Sequence, residues 1–173
     1  VASRAKRLGI ELTDHLHFLG TSSLDEALEA VDELKPDMVV VDSVQTLSSP
    51  SLESSAGTVS QVREVTQQLL VRAKSSGPIV LLVGHVTKDG QIAGPRLLEH
   101  MVDGVFYFEL ASSGGYRLLR GQKNRFGATH ELAVLEMGSA GLVEVPNPSA
   151  RFLAERTTGL AGSAGLAGSP STG

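Results

Sequence analysis

Apolar residues along this chain follow two rhythms, and the change between them marks its organisation. From Leu24 to Leu34 they recur every three or four positions (Leu24, Ala27, Leu28, Val31, Leu34), the spacing of one helix face. Ser23-Leu24-Asp25-Glu26 reads as a capping box, in which hydroxyl and carboxylate satisfy free amides of the first turn. Lys35-Pro36-Asp37 ends that helix. Met38-Val39-Val40-Val41 is then an unbroken apolar run, the pattern of a parallel strand buried on both faces. A serine-rich loop, 48–57, leads to a second capping box, Thr58 with Gln61. The helix it starts ends near Ser75 and buries Val59, Val62, Val65, Leu69, Leu70 and Ala73. Ile79–Val83 is again continuously apolar. Strand, amphipathic helix and strand in that order predict a parallel βαβ sheet.

Both ends behave differently. Val1 to Gly9 predicts the remainder of a helix, with Arg4, Lys6 and Arg7 outward and Gly9 as its stop. Leu16–Leu19 predicts a short strand. After a short helix packed by Leu97, Leu98 and Met101, the pattern relaxes to alternation over 104–110, 116–122, 131–137 and 142–145. Glycine turns at 112–115 and 138–141 join these segments, which predicts antiparallel strands extending the parallel sheet. Beyond Arg156 the chain is mostly Gly, Ala and Ser. Such a stretch buries too little apolar surface to offset its ordering entropy, so 156–173 is expected to be disordered.

Composition adds limits. With 173 residues, 41% hydrophobic and 20% charged, the chain is long enough for one real core. A formal charge of −4 confines any nucleic-acid contact to local basic loops. There is no cysteine, hence no disulfide and no thiolate metal site. No apolar run reaches the roughly 18–20 residues that span a bilayer. The chain opens at Val1 inside a helical pattern and reads as a piece of a longer protein.

Four places could carry chemistry. Asp42, followed by Ser43, closes the first apolar strand, where α/β sheets hold ligands and where phosphate-binding ATPases keep the carboxylate for the water shell of Mg²⁺. An acid that simply ends a strand at a turn fits the same residues. His85 follows the second apolar strand and suits a hydrogen-bonding sensor, or a plain cap on nearby backbone. Lys88 and Arg96 bracket a glycine-containing loop suited to phosphate contact without base readout, and equally to an ordinary surface loop. Lys123-Asn124-Arg125-Phe126-Gly127 sets two cations at a strand end, suited to gripping phosphate, of nucleotide or of DNA, or else paired with Glu131 in solvent. A metal site from His85, His100 and Asp103 lacks a close i, i+4 ligand pair. No phosphate loop of the form G-x-x-x-x-G-K-[ST] occurs.

Lys123-Asn124-Arg125-Phe126-Gly127, with the run Leu81 to Gly90 and Ala93 to Asp103, closely resembles the RadA (Sms) family of bacterial DNA-repair ATPases, within the RecA-like superfamily. The resemblance covers roughly 1–155. It implies an α/β fold, a truncated RecA-like P-loop NTPase core over 1–146 with helices flanking a parallel sheet. Residues 147–155 would be a linker toward a Lon-protease-like domain. It also implies ATP and Mg²⁺ as cofactors, with zinc held in an amino-terminal module not represented here. Implied partners are single-stranded DNA, recombination intermediates, further copies in a hexameric ring, and a RecA-type recombinase, all in the cytoplasm. By the same resemblance Asp42 and Ser43 belong to the nucleotide site, Asp42 reaching Mg²⁺ through water. His85 senses nucleotide state, Lys88 and Arg96 touch the DNA backbone, and Lys123 and Arg125 serve catalysis or DNA at a subunit boundary. Without the phosphate loop, this stretch alone is expected not to hydrolyse ATP. A KaiC-like signalling ATPase would share the Asp42 strand but not the basic pentad. A non-catalytic DNA-binding or interaction remnant is the other alternative.

Overall fold

The computed structural model describes residues 2–11, 13–75, 77–85, 95–111, 115–129, 131–139 and 141–148, with backbone alone for 2 and 95–97. The chain divides into two compact units, one formed by 11–105 with 122–129, the other by the described residues of 1–10, 106–121 and 130–173.

In the first unit the elements are α2 (Leu24–Leu34), β1 (Met38–Asp42), α3 (Val59–Lys74), β2 (Ile79–Val83) and α4 (Pro95–Met101), α1 being Ala2–Arg7 in the other unit. β1 and β2 pair in parallel, from Met38 opposite Ile79 to Asp42 opposite Val83, as the two apolar runs predict. Val41, Val80 and Leu82 face a core of Leu24 and Leu28 from α2, Val62, Val65 and Leu69 from α3, and Val44 and Leu47 from the loop between β1 and α3. The opposite face departs from the expectation of double burial. Met38, Val40, Ile79 and Leu81 alternate outward and are all exposed, Ile79 at 67%. A continuous apolar run shows that both faces favour cover; among the described residues only one face has it.

Local signals were met in altered form. The Ser23 side chain accepts from the Glu26 amide at 3.4 Å, as a cap should. Glu26 does not return to the Ser23 amide. Its carboxylate accepts instead from the Thr21 hydroxyl at 2.6 Å, and that hydroxyl accepts from the Ser23 amide at 2.9 Å. Thr58 makes no side-chain cap at all. Gln61, expected to complete that cap, is buried and fastens the serine loop: it accepts from the Ser49 amide and donates to the carbonyls of Ser49, Leu52 and Ser54. Residues 16–19 form no strand; Phe18 and Leu19 stand exposed and unpaired with any described strand.

In the second unit, α1 gives way two residues after Arg7 to Gly9, whose φ of +67° is the left-handed conformation that glycine adopts without strain. The Ile10 amide reaches back to the Ala5 carbonyl at 2.9 Å, closing the helix as Gly9 predicts. The four alternating segments become β3 (Gly104–Leu110), β4 (Arg117–Asn124), β5 (Leu132–Gly138) and β6 (Gly141–Glu144), of which 104–105 and 122–124 fall in the first unit. Among the described residues they pair in a sheet of their own in chain order and do not extend the parallel pair as expected. Tyr116, Val134 and Val145 make its small core. The expected tail 156–173 lies outside the described residues, as does most of the expected linker. No helix among the described residues is long and apolar enough to cross a membrane.

Candidate functional site

Because β1 and β2 are parallel and in register, their carboxyl ends open on one edge of the sheet, where α/β folds hold ligands. Asp42 is the last residue of β1, and His85 follows β2 by two residues. The register therefore brings these two together on that edge. The chain leaves β1 through a cis Asp42–Ser43 peptide and a single tight turn, Val44–Thr46. Val44 is wholly buried and anchors the turn, while the Ser43 carbonyl accepts from both the amide and the hydroxyl of Thr46, at 3.0 and 2.7 Å. Ser43 itself is buried by this arrangement.

Gln45 bridges the two strand ends. Its Nε2 donates to the His85 carbonyl at 3.2 Å, and its Oε1 is buried with no partner among the described residues. Buried polar atoms are seldom left unmet, so this oxygen is a free acceptor beside the edge. Sequence reasoning passed over Gln45; an amide three residues past a strand-ending acid was its only signal. The Asp42 carboxylate is exposed and makes no hydrogen bond among the described residues, and the His85 ring likewise has none. An unengaged carboxylate at a strand end fits the water shell of a divalent cation. The phosphates of a nucleotide find less here, because the sequence holds no glycine-rich loop to cradle them.

The basic pentad is built differently. Lys123, at the end of β4, donates its ammonium to the carbonyls of Glu99 and Val102, both at 2.7 Å. These carbonyls close α4, where the end of the helix leaves acceptors without partners and favours positive charge. The Arg125 amide donates to the Asp103 carbonyl at 2.9 Å, and its guanidinium meets the Asp103 carboxylate at 3.0 Å. Asp103, not Glu131, is thus its acidic partner. Asn124 shapes the turn between them: its Oδ1 accepts from the Phe126 amide, and its Nδ2 donates to the Ala128 carbonyl. A side chain on Gly127 would come within 3.0 Å of that amide nitrogen. Phe126 projects from the turn, 84% exposed. Two cations that sequence reading treats alike therefore differ: Lys123 is engaged with backbone, and Arg125 sits at the surface.

Lys88 lies outside the described residues. Arg96 belongs to α4 by its backbone, and its side chain is likewise outside the description. The three-residue metal set does not form: Asp103 is paired with Arg125, and no cluster of three acidic, histidine or cysteine ligands occurs among the described residues.

No family model matches the chain. Over 160 residues, 92% of its length, it is 48% identical to the DNA repair protein RadA of Halalkalibacterium halodurans. The same stretch is 51% identical to the DNA repair protein RadA of Bacillus subtilis and 47% identical to that of Streptococcus pneumoniae. The chain spans 35% of the length of the first two relatives and 38% of the third. Among solved structures, it aligns with a KaiC-like protein of Pyrococcus horikoshii OT3 at a TM-score of 0.47 and 20% identity, over 71% of this chain and 55% of that one.

Proposed function

Because this chain belongs to the RadA family of DNA repair proteins, we propose that it is the middle and later part of an ATPase core that processes recombination intermediates. In that reading the intact protein works as a ring of copies on single-stranded DNA, driving branch migration beside a RecA-type recombinase. ATP, when bound, supplies the free energy of phosphoanhydride hydrolysis. Asp42 would be the carboxylate on the Mg²⁺ side of the site, Ser43 and Gln45 would shape the edge beside it, and His85 would read whether that edge is occupied. Lys88 and Arg96 meet the DNA backbone. Arg125, whose guanidinium is held at the surface by Asp103, is the cation that would exchange this pair for a phosphate held by a neighbouring copy, where a planar fork grips oxygens well. Lys123 holds the end of α4, and with it the geometry from which Arg125 reaches.

The observation that carries this reading is the near-half identity to RadA over nearly the whole chain. An unengaged carboxylate and imidazole on one sheet edge support it. Full-length protein carrying Arg125→Ala is expected to lose ATP-driven branch migration while its thermal melting stays put. Normal migration rates in that variant would overturn the role given to Arg125. Calorimetric titration of this chain with Mg-ATP should give no binding heat, since the phosphate loop is not in its sequence. Clear affinity would mean that the chain carries a complete nucleotide site of another kind.

A further inference from the structure

Helix α3 carries a second stripe that its core face does not use. Val62, Val65, Thr66 and Leu69 point into the core. Arg63, Gln67, Leu70, Val71 and Lys74 fall on the adjoining face at helical spacing. With His100 and Met101 of α4, that stripe encloses a groove of about 330 Å³. Leu70, Val71 and Met101 give it an apolar floor, and Val71 remains 50% exposed. Every charged or titratable side chain lining it is basic: Arg63, Lys74 and His100. Neither Arg63 nor Lys74 has an acidic partner among the described residues, whereas Arg72 of the same helix meets Asp32 at 3.1 Å. Arg63 and Lys74 stand roughly 16 Å apart along the helix, with the apolar floor between them.

We propose that this groove docks an acidic amphipathic helix of a partner protein. Its carboxylates would lie about three turns apart, with one or two apolar side chains between them. Cations flanking open apolar surface are complemented by a ligand that brings both opposite charge and a side chain to cover the floor. A phosphodiester strand would answer the cations and leave the floor in water. The inference stands apart from the proposed function, since it uses neither Asp42, His85 nor the basic pentad.

Two labelled alanine-based helical peptides test it by fluorescence anisotropy against the full chain. One carries glutamates about eleven residues apart around a central Leu-Leu pair, and the other carries lysines in their place. The glutamate peptide is expected to bind with micromolar affinity. Arg63→Glu with Lys74→Glu should weaken it by about tenfold or more, and the lysine peptide should then bind that variant. Both substitutions lie at exposed positions, and an unchanged circular-dichroism melt checks the fold. No binding of the glutamate peptide, or binding indifferent to both charge reversals, overturns the proposal. So does a variant that loses oligothymidylate binding without any effect on the peptide, which assigns the groove to nucleic acid. Sedimentation showing that the reversals dissolve a dimer assigns it to a second copy and overturns the proposal too.

Discussion

Gln61 shows how one side chain can be legible as a residue and misread in its role. Its position three residues after Thr58 fits a capping box, yet the first turn of α3 points it inward beside Val62 and Val65. At 1% exposure it accepts from the Ser49 amide in the interior and donates to the Ser49 carbonyl and to the partly buried carbonyls of Leu52 and Ser54. Gln61→Leu should destabilise the fold by roughly 2 kcal/mol, because it strands the Ser49 amide in the interior and releases the loop carbonyls it holds. Urea unfolding would show this as a lower midpoint at unchanged slope. Thr66 makes the opposite case. Its hydroxyl is fully buried with no partner among the described residues, close to the apolar side chains of α3. Thr66→Val keeps the shape and removes the unmet group, so a gain of about 1 kcal/mol is expected in the same unfolding measurement. Neither role could be read from the sequence, since both depend on which backbone groups approach from elsewhere in the chain.

At the scale of elements, the pentad and α4 act as one piece. Lys123 satisfies two carbonyls at the end of α4, while Asp103, two residues past the helix, is held through both its carbonyl and its carboxylate by Arg125. The two cations should then separate in mutagenesis. Lys123→Met removes a charged donor from two partly buried acceptors and is expected to cost about 2 kcal/mol. Arg125→Ala breaks an ion pair between groups 68% and 43% exposed, which is worth less than about 1 kcal/mol. Differential scanning calorimetry should therefore show a clearly lower melting temperature for Lys123→Met and hardly any change for Arg125→Ala. Equal losses would contradict a bracing role for Lys123 and a surface role for Arg125. The alternating segments and the Gly9 stop were legible because hairpins and caps are settled over a few residues. Leu16–Leu19 was not, because an apolar tetrad becomes a strand only where another strand offers it hydrogen bonds.

At the scale of the whole molecule, the unit built on β1 and β2 leaves Met38, Val40, Ile79 and Leu81 in water on one face of a two-stranded sheet. Such a face is expected to drive self-association of the isolated chain. Sedimentation velocity should show higher-order species, shifted toward monomer by Val40→Thr with Leu81→Thr, which keep strand propensity and remove apolar surface. A single monomeric boundary before substitution would contradict this. Apart from Leu16–Leu19, local pattern along the chain was enough to set the order of helices and strands, the parallel pairing of two apolar runs, and the placement of Asp42 and His85 at strand ends. Each of these follows from periodicity and turn chemistry acting between near neighbours. Contacts between distant segments settled which face of the sheet is covered, that Gln45 joins the two strand ends, and that Lys123 is engaged with backbone where Arg125 is exposed. Those outcomes hang on atoms far apart in the chain meeting or failing to meet, and residue spacing carries no record of that.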